Sequence, residues 1–222
     1  MALRRAGLLV SLALVTACGP GAAAQPYYHE DPLPYYLYVP EDRSELNPPP
    51  LFVGLLGQGG SALDCFDLWQ SLAEDRDLAL ICPELIGGAD LQGSVDAQRD
   101  LGTVLTDVYA QQTFQPRFFL AGFGDAGRFA MDYALQFPQV VSGVAVTAVD
   151  ELPDPSTTVS QIPFLLALGE EDRERKAAVD SGAEAWRQLG LVIRVVSISG
   201  DDRRPSLDFA RLAAELASQT SR

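Results

Sequence analysis

The sequence predicts a single three-layer α/β/α domain built on a mainly parallel β-sheet. Three observations support this fold class. Short apolar segments, long enough for strands, alternate along the chain with longer segments of helical periodicity. Most of the apolar segments contain no polar residue, as expected for strands that helices cover on both faces. The chain has 222 residues, a length that suits one α/β domain.

Each predicted element has its own local signal. The first strand is aromatic and β-branched and ends at Pro40, whereas the later strands are almost purely aliphatic or aromatic. Ser61 with Asp64 three positions on forms a capping box at a helix start, the alternative being a nucleophilic Ser61. The predicted strands are 35–39, 51–56, 78–82, 117–120, 140–146, 164–168 and 192–196, and the predicted helices are 62–75, 95–112, 129–137, 174–189 and 206–218.

The amino terminus predicts export. Arg4 and Arg5 precede an apolar stretch that is too short to span a bilayer and has the layout of a secretion signal. The segment Val15–Cys18 resembles a bacterial lipobox, which implies cleavage before Cys18 and a lipid on its sulfur, and several acyl chains anchor a protein stably. The alternative is an ordinary signal peptide cleaved near residues 22–24. Residues 1–17 are therefore the predicted lipoprotein signal peptide, and the predicted location is the bacterial cell envelope.

The next segment, 18–34, is predicted to be a tether, and 35–222 to be the domain. The tether is rich in Gly, Ala, Pro and Tyr and contains His29, the only histidine of the chain. A surface role is the favoured interpretation of His29 over a catalytic one.

Charge and composition exclude several classes of partner. The formal net charge of −14 argues against nucleic acid as a partner. One histidine and scattered acids give no spacing suited to a metal, and no cofactor is expected. Gly122, Gly124 and Gly127 match the spacing of a dinucleotide fingerprint, but the motif lies in mid-chain and no acidic residue closes the following strand.

The stretch 120–128 is the motif on which the functional interpretation of the sequence depends. A buried strand turns through glycines directly into a helix, which is the context of a nucleophile elbow, Gly-x-Ser-x-Gly. The residue at the apex is Gly124, which has no nucleophilic atom. An alternative register would place Asp125 at the apex, as in dehalogenases with an aspartate nucleophile, but it would put Phe123 where the turn needs a small residue. The other interpretation of Asp125 is a carboxylate at the start of the helix, which the helix dipole favours.

Four segments occur in a characteristic order: a glycine-rich turn at 57–61, the elbow at 122–127, Gly-x-x-Asp at 169–172 and a turn at 200–205. On these segments the chain resembles the α/β-hydrolase fold. It is most similar to small esterases and dienelactone-hydrolase-type members. The resemblance implies a catalytic triad at Gly124, Asp172 and Arg203, of which only Asp172 carries the expected residue. Arginine stays protonated near neutral pH and cannot act as a general base. An Asp172–Arg203 salt bridge is a further hypothesis.

The resemblance also implies an oxyanion hole built from the backbone amides of Gln58 and Asp125. Leu56 stands where many members have histidine. Two amides without a nucleophile can still hold a carboxylate or a carbonyl oxygen.

The expected fold brings two cysteines to one edge of the sheet. Cys65 begins a helix and Cys82 ends the next strand, so an exported protein is expected to pair them as a disulfide, the alternative being two free thiols.

The function predicted from the sequence is that of an exported pseudoenzyme. A lipid-anchored hydrolase-fold protein without the Ser and His of the triad is expected to bind a small molecule or a protein at its cleft. The alternative is an esterase-like hydrolase with non-standard catalytic residues.

Overall fold

The computed structural model describes residues 27–41, 46–57, 60–85, 94–171, 173–199 and 205–220. Strands and helices alternate over most of this range. The elements are β1 Tyr27–His29, β2 Tyr35–Tyr38, β3 Leu51–Leu55, α1 Ala62–Glu74, β4 Ala79–Pro83, α2 Val95–Gln111, β5 Phe118–Phe123, α3 Asp125–Gln136, β6 Val141–Thr147, β7 Phe164–Gly169, α4 Arg173–Gln188, β8 Ile193–Ile198 and α5 Leu207–Thr220.

The strands in this part of the chain form one eight-stranded sheet in the order β1-β2-β4-β3-β5-β6-β7-β8. Strands β3 to β8 are parallel to one another, whereas β2 is antiparallel to both β1 and β4. The predicted α/β domain with a mainly parallel sheet is confirmed. The carboxyl ends of the parallel strands share one edge, and the strand-to-helix turns of the chain lie there.

The helices cover both faces of the sheet. Helices α2, α3 and α4 bury their apolar sides against one face, and α1 and α5 cover the other. The aromatic rings of Phe52 and Phe119 stack 5.5 Å apart under α1, and Phe164 meets Trp186 of α4 at 4.8 Å. Because both faces are packed, strands β3 to β7 are buried along almost their whole length.

Three local features differ from the sequence-based expectation. The sheet begins at Tyr27, eight residues before the predicted start of the domain, so β1 and His29 belong to the sheet and not to a tether. Helix α3 begins at Asp125, four residues earlier than predicted. A short 3-10 helix, Thr157–Val159, lies between β6 and β7, where the sequence predicts no helix.

The two cysteines of the domain lie at disulfide distance, as predicted. The Sγ atoms of Cys65 and Cys82 are 2.00 Å apart and their Cα atoms 5.9 Å apart. Both residues are buried, at the start of α1 and near the end of β4. Gly54 is required beneath them, because a Cβ there would lie 2.7 Å from the Sγ of Cys65 and 2.7 Å from the ring of Trp69.

Within the described residues, no helix is long and apolar enough to cross a membrane.

Candidate functional site

The candidate site is the turn between β5 and α3. Gly124 occupies its apex with φ 58° and ψ −127°, a left-handed conformation that strains any residue with a Cβ. Its N–H donates a hydrogen bond to the carbonyl oxygen of Thr147 at 2.9 Å, which ties the apex to the end of β6. Gly124 is therefore the apex residue, and Asp125 is the first residue of α3, so the register with Asp125 at the apex is not the one that forms.

Two glycines allow the helix to start directly against the strand. A Cβ at Gly122 would lie 2.5 Å from the carbonyl oxygen of Ala126 and 2.6 Å from the Cα of Gly127. Gly127 in turn lies against Gly122 and the side chain of Val149. The glycines on either side of the apex thus have a packing role, which is the role that the elbow motif requires of them.

Among the described residues, none approaches the apex closely from the side-chain direction. A Cβ at Gly124 would meet no described atom within 4 Å, so these residues leave room for a side chain at this position. The first intrahelical bond of α3 runs from the N–H of Arg128 to the carbonyl of Gly124 at 3.0 Å. The amides of the residues between them are therefore outside the helical hydrogen-bond ladder, and they give this end of the helix a partial positive charge.

The loop after β3 lies against these amides. A Cβ at Gly57 would be 3.4 Å from the amide nitrogens of Asp125 and Ala126 and 2.8 Å from the carbonyl oxygen of Phe123. Gly57 directly precedes Gln58, the other predicted amide donor, so the two loops of the expected oxyanion hole are neighbours. Sequence reasoning missed the close approach of Gly57 because it depends on a contact between distant parts of the chain.

Four predicted site residues, Cys18, Gln58, Asp172 and Arg203, lie outside the described residues. The proposed Asp172–Arg203 salt bridge and the second oxyanion donor therefore remain predictions. The predicted acid position follows β7, which ends at Gly169, and the predicted base position follows β8.

Two arginines beside the elbow are already paired with carboxylates. The Nε of Arg128 lies 3.2 Å from an oxygen of Asp132, and its Nη1 lies 3.2 Å from Glu151. Arg175 reaches Asp150 at 3.0 Å. These contacts attach the segment after β6 to α3 and α4, and they balance the positive charge of both arginines.

His29 lies far from the elbow. Its ring stacks on that of Tyr35 at 4.5 Å, with the planes 3° apart, in strand β1 at one end of the sheet. Four strand spacings separate β1 from β5, which is roughly 19 Å at about 4.8 Å per strand. The only histidine of the chain therefore cannot activate a group at Gly124. Ser61 is confirmed as a cap, because its Oγ accepts from the N–H of Asp64 and its own N–H donates to the Asp64 carboxylate.

Comparison with solved structures identifies the fold. FphF, a fluorophosphonate-binding serine hydrolase of Staphylococcus aureus, matches with a TM-score of 0.66 and 12% identity over 89% of this chain and 98% of that one. The S-formylglutathione hydrolase FrmB of the same organism matches with a TM-score of 0.64 and 13% identity, over 85% of this chain and 92% of that chain. This is the α/β-hydrolase fold.

Other structures with this fold are longer than the chain. A thermostable esterase matches with a TM-score of 0.65 and 14% identity, and the enterobactin esterase FES of Shigella flexneri with 0.67 and 14%. The matches cover 88% and 91% of this chain but only 62% and 59% of those chains. No family model and no curated relative matches the sequence. At such identities the α/β-hydrolase likeness establishes architecture alone.

Among the described residues, no group of three or more His, Cys, Asp or Glu side chains could hold a metal ion.

Proposed function

We propose that the protein is an exported, lipid-anchored α/β-hydrolase-fold protein that binds a ligand or partner at its cleft without hydrolysing it. The observation that carries the proposal is Gly124. It adopts the backbone conformation of an elbow apex, and no described residue lies within 4 Å of where its Cβ would be, yet it supplies no nucleophilic atom. Glycine in this position makes acyl transfer through it chemically impossible.

The absence of a base supports the same conclusion. The position expected for histidine carries Arg203, and the one histidine of the chain lies roughly 19 Å from the elbow by strand count. Without nucleophile and base, only residual catalysis by binding and oriented amides remains. The orphan amides at the start of α3 suit a ligand that presents a carbonyl or carboxylate oxygen.

Export and anchoring rest on the amino-terminal sequence. The basic start, the short apolar stretch and Cys18 together favour a lipidated envelope protein. Disulfides form and persist in oxidising compartments and are rare in the cytosol, so a Cys65–Cys82 disulfide supports the same location.

The catalytic part of the proposal is tested on protein that lacks residues 1–18. It should release no nitrophenol from short-chain nitrophenyl esters above the background of buffer, and a fluorophosphonate probe should leave it unlabelled. Covalent labelling of any serine, located by mass spectrometry, would identify an active hydrolase and overturn the proposal.

The anchor is tested separately on the full chain. In a bacterial host, the protein should partition into the membrane fraction and incorporate labelled fatty acid. Cys18→Ala should abolish both, with Ser11→Ala as a matched control that leaves both intact. A Cys18→Ala protein that still carries the fatty acid would exclude Cys18 as the lipidated residue.

A further inference from the structure

A second concave surface lies away from the elbow. A groove of about 870 Å³ runs between the bend that joins β1 to β2 and one face of α2. Asp31 and Pro32 form one wall, and α2 forms the other with its face from Arg99 to Ala110. None of these residues belongs to the turn that forms the candidate site.

The groove is long, and the uncharged side chains at its base are small. The lining stretch of α2, 99–110, extends about 16 Å at about 1.5 Å per residue. A Cβ at Gly102 would meet no described atom within 4 Å, and the uncharged lining residues beside it on this face are threonine and alanine. Because an extended chain rises about 3.3 Å per residue, the groove accommodates about five residues of an extended peptide.

The threonine hydroxyls of the floor have no proton to offer a ligand. Thr103 Oγ1 donates to the carbonyl oxygen of Arg99 at 2.9 Å, and Thr106 Oγ1 donates to that of Gly102 at 2.7 Å. Each hydroxyl has one proton, so what remains on each oxygen is acceptor capacity.

The carboxylates of the groove also offer acceptors. The Oδ2 of Asp107 accepts from the hydroxyl of Tyr35 and from Nε2 of Gln111, both at 2.7 Å, and its Oδ1 makes no hydrogen bond to any described residue. The carboxylate of Asp31 has no hydrogen bond or ion pair to any part of the chain that the structure describes.

Arg99, the cation among the described lining residues, is compensated. Arg99 reaches Asp96 with Nη1 at 2.9 Å and Asp100 with Nη2 at 3.4 Å. The groove therefore has a negative balance and an excess of hydrogen-bond acceptors. Its complement is a cationic ligand that is rich in N–H donors.

We propose that this groove docks an extended, lysine- or arginine-bearing segment of a partner protein. The side chains of such a segment match Asp31 and Asp107, and its backbone amides match the acceptor-only threonines. The formal net charge of −14 of the whole chain adds long-range attraction for a basic partner. This site is separate from the cleft at Gly124 and does not depend on whether the cleft binds a ligand.

The test uses fluorescence anisotropy with a labelled peptide of alternating lysine and glycine, at about 150 mM salt. Saturable binding is expected, and the matched peptide with serine in place of lysine should not bind. The double variant Asp31→Asn/Asp107→Asn should weaken binding by about tenfold or more. Gly102→Leu should weaken it as well, because it fills the floor without changing the charge.

Asp67→Asn is the matched control. It removes one exposed carboxylate from α1, on the opposite face of the sheet, and should change the affinity less than twofold. Circular dichroism confirms that each variant is folded. Binding that is unchanged in both groove variants, or that falls equally in Asp67→Asn, would show attraction to the general negative charge and overturn the proposal. Failure of the lysine peptide to bind, with spermidine bound instead, would also overturn it.

Discussion

Gly122 and Gly127 lie in backbone contact, with strand β5 touching the first turn of α3. A Cβ added at Gly122 would lie 2.6 Å from the Cα of Gly127 and 2.7 Å from its nitrogen. Both contacts are with backbone, so no side-chain rotation relieves them. The turn between them keeps the tight form of a nucleophile elbow although its apex carries no nucleophile.

This contact predicts the effect of Gly122→Ala. The methyl group should force α3 away from β5 and lower the free energy of unfolding by about 1–3 kcal/mol or more, since overpacking of a rigid site is costly. Urea unfolding measures the loss. Gly102→Ala is the matched control, because its Cβ meets nothing within 4 Å and alanine favours a helix interior by about 1 kcal/mol over glycine. Equal stability of wild type and Gly122→Ala would contradict the contact.

The backbone of Gly124 predicts that serine can be introduced at the apex. Gly124→Ser should fold at a cost of about 1–3 kcal/mol for its left-handed backbone and should remain inactive, since nothing activates the hydroxyl. Adding Arg203→His supplies a base at the position that the resemblance assigns to it. The double variant should gain fluorophosphonate labelling and ester turnover, measured against each single variant. A labelled Gly124→Ser single variant would show that the chain already contains a functional base.

The Cys65–Cys82 pair predicts a stability that depends on oxidation. Its loop spans 17 residues, which corresponds to about 3 kcal/mol on the chain-entropy model. The Cys65→Ala/Cys82→Ala variant should unfold at a lower urea concentration than the oxidised protein. Reducing agent should lower the midpoint of the wild type and leave that of the variant unchanged. If the wild-type midpoint stays the same after the protein is reduced under denaturing conditions, that result would argue against a disulfide.

The burial of Asp100 predicts that replacing it stabilises the protein. It is 5% exposed, and its Oδ2 is buried without a hydrogen-bond partner in the described structure, while Oδ1 has only Arg99 at 3.4 Å. An unsatisfied buried polar atom costs about 1–3 kcal/mol, so Asp100→Leu should raise the free energy of unfolding by a comparable amount. The control Asp96→Leu changes an exposed partner of the same arginine and should have a small effect. A destabilised Asp100→Leu would indicate that the carboxylate has a partner in solution.

The raised pKa of Tyr109 predicts a loss of stability at alkaline pH. Burial raises its pKa to about 12, above the ordinary value near 10. The unfolded chain then loses this proton first, so the stability it contributes is complete below about pH 10 and is lost as the pH rises towards 12. The stability difference between wild type and Tyr109→Phe should therefore shrink over this interval in urea unfolding. Parallel pH profiles would contradict the shift.

Local features of the site could be predicted from the sequence because their causes are local. Ser61 and Asp64 form the predicted capping box within a single turn of helix. The glycines at 122, 124 and 127 define a strand-to-helix turn wherever the chain is placed. The lack of a nucleophilic atom at the apex is likewise a matter of residue type, because glycine has no side chain, and packing cannot change that.

Other features depended on contacts between distant segments. His29 joins the sheet because β1 pairs with β2, and three residues are too short to show a strand signal in the sequence. Asp107 meets Tyr35 across 72 positions because α2 lies beside β2, and the burial of Asp100 likewise depends on how α2 packs in the fold.

The sequence by itself determined the alternation of strands and helices, the cap, the glycine turn and the glycine at its apex, since each follows from residues a few positions apart. The tertiary structure alone decided the strand order, the distance of His29 from the elbow, the approach of Gly57 to the amides of α3 and the groove beside α2. These depend on which segments pair across the sheet, and that is a property of long-range packing and hydrogen bonding that no local pattern encodes.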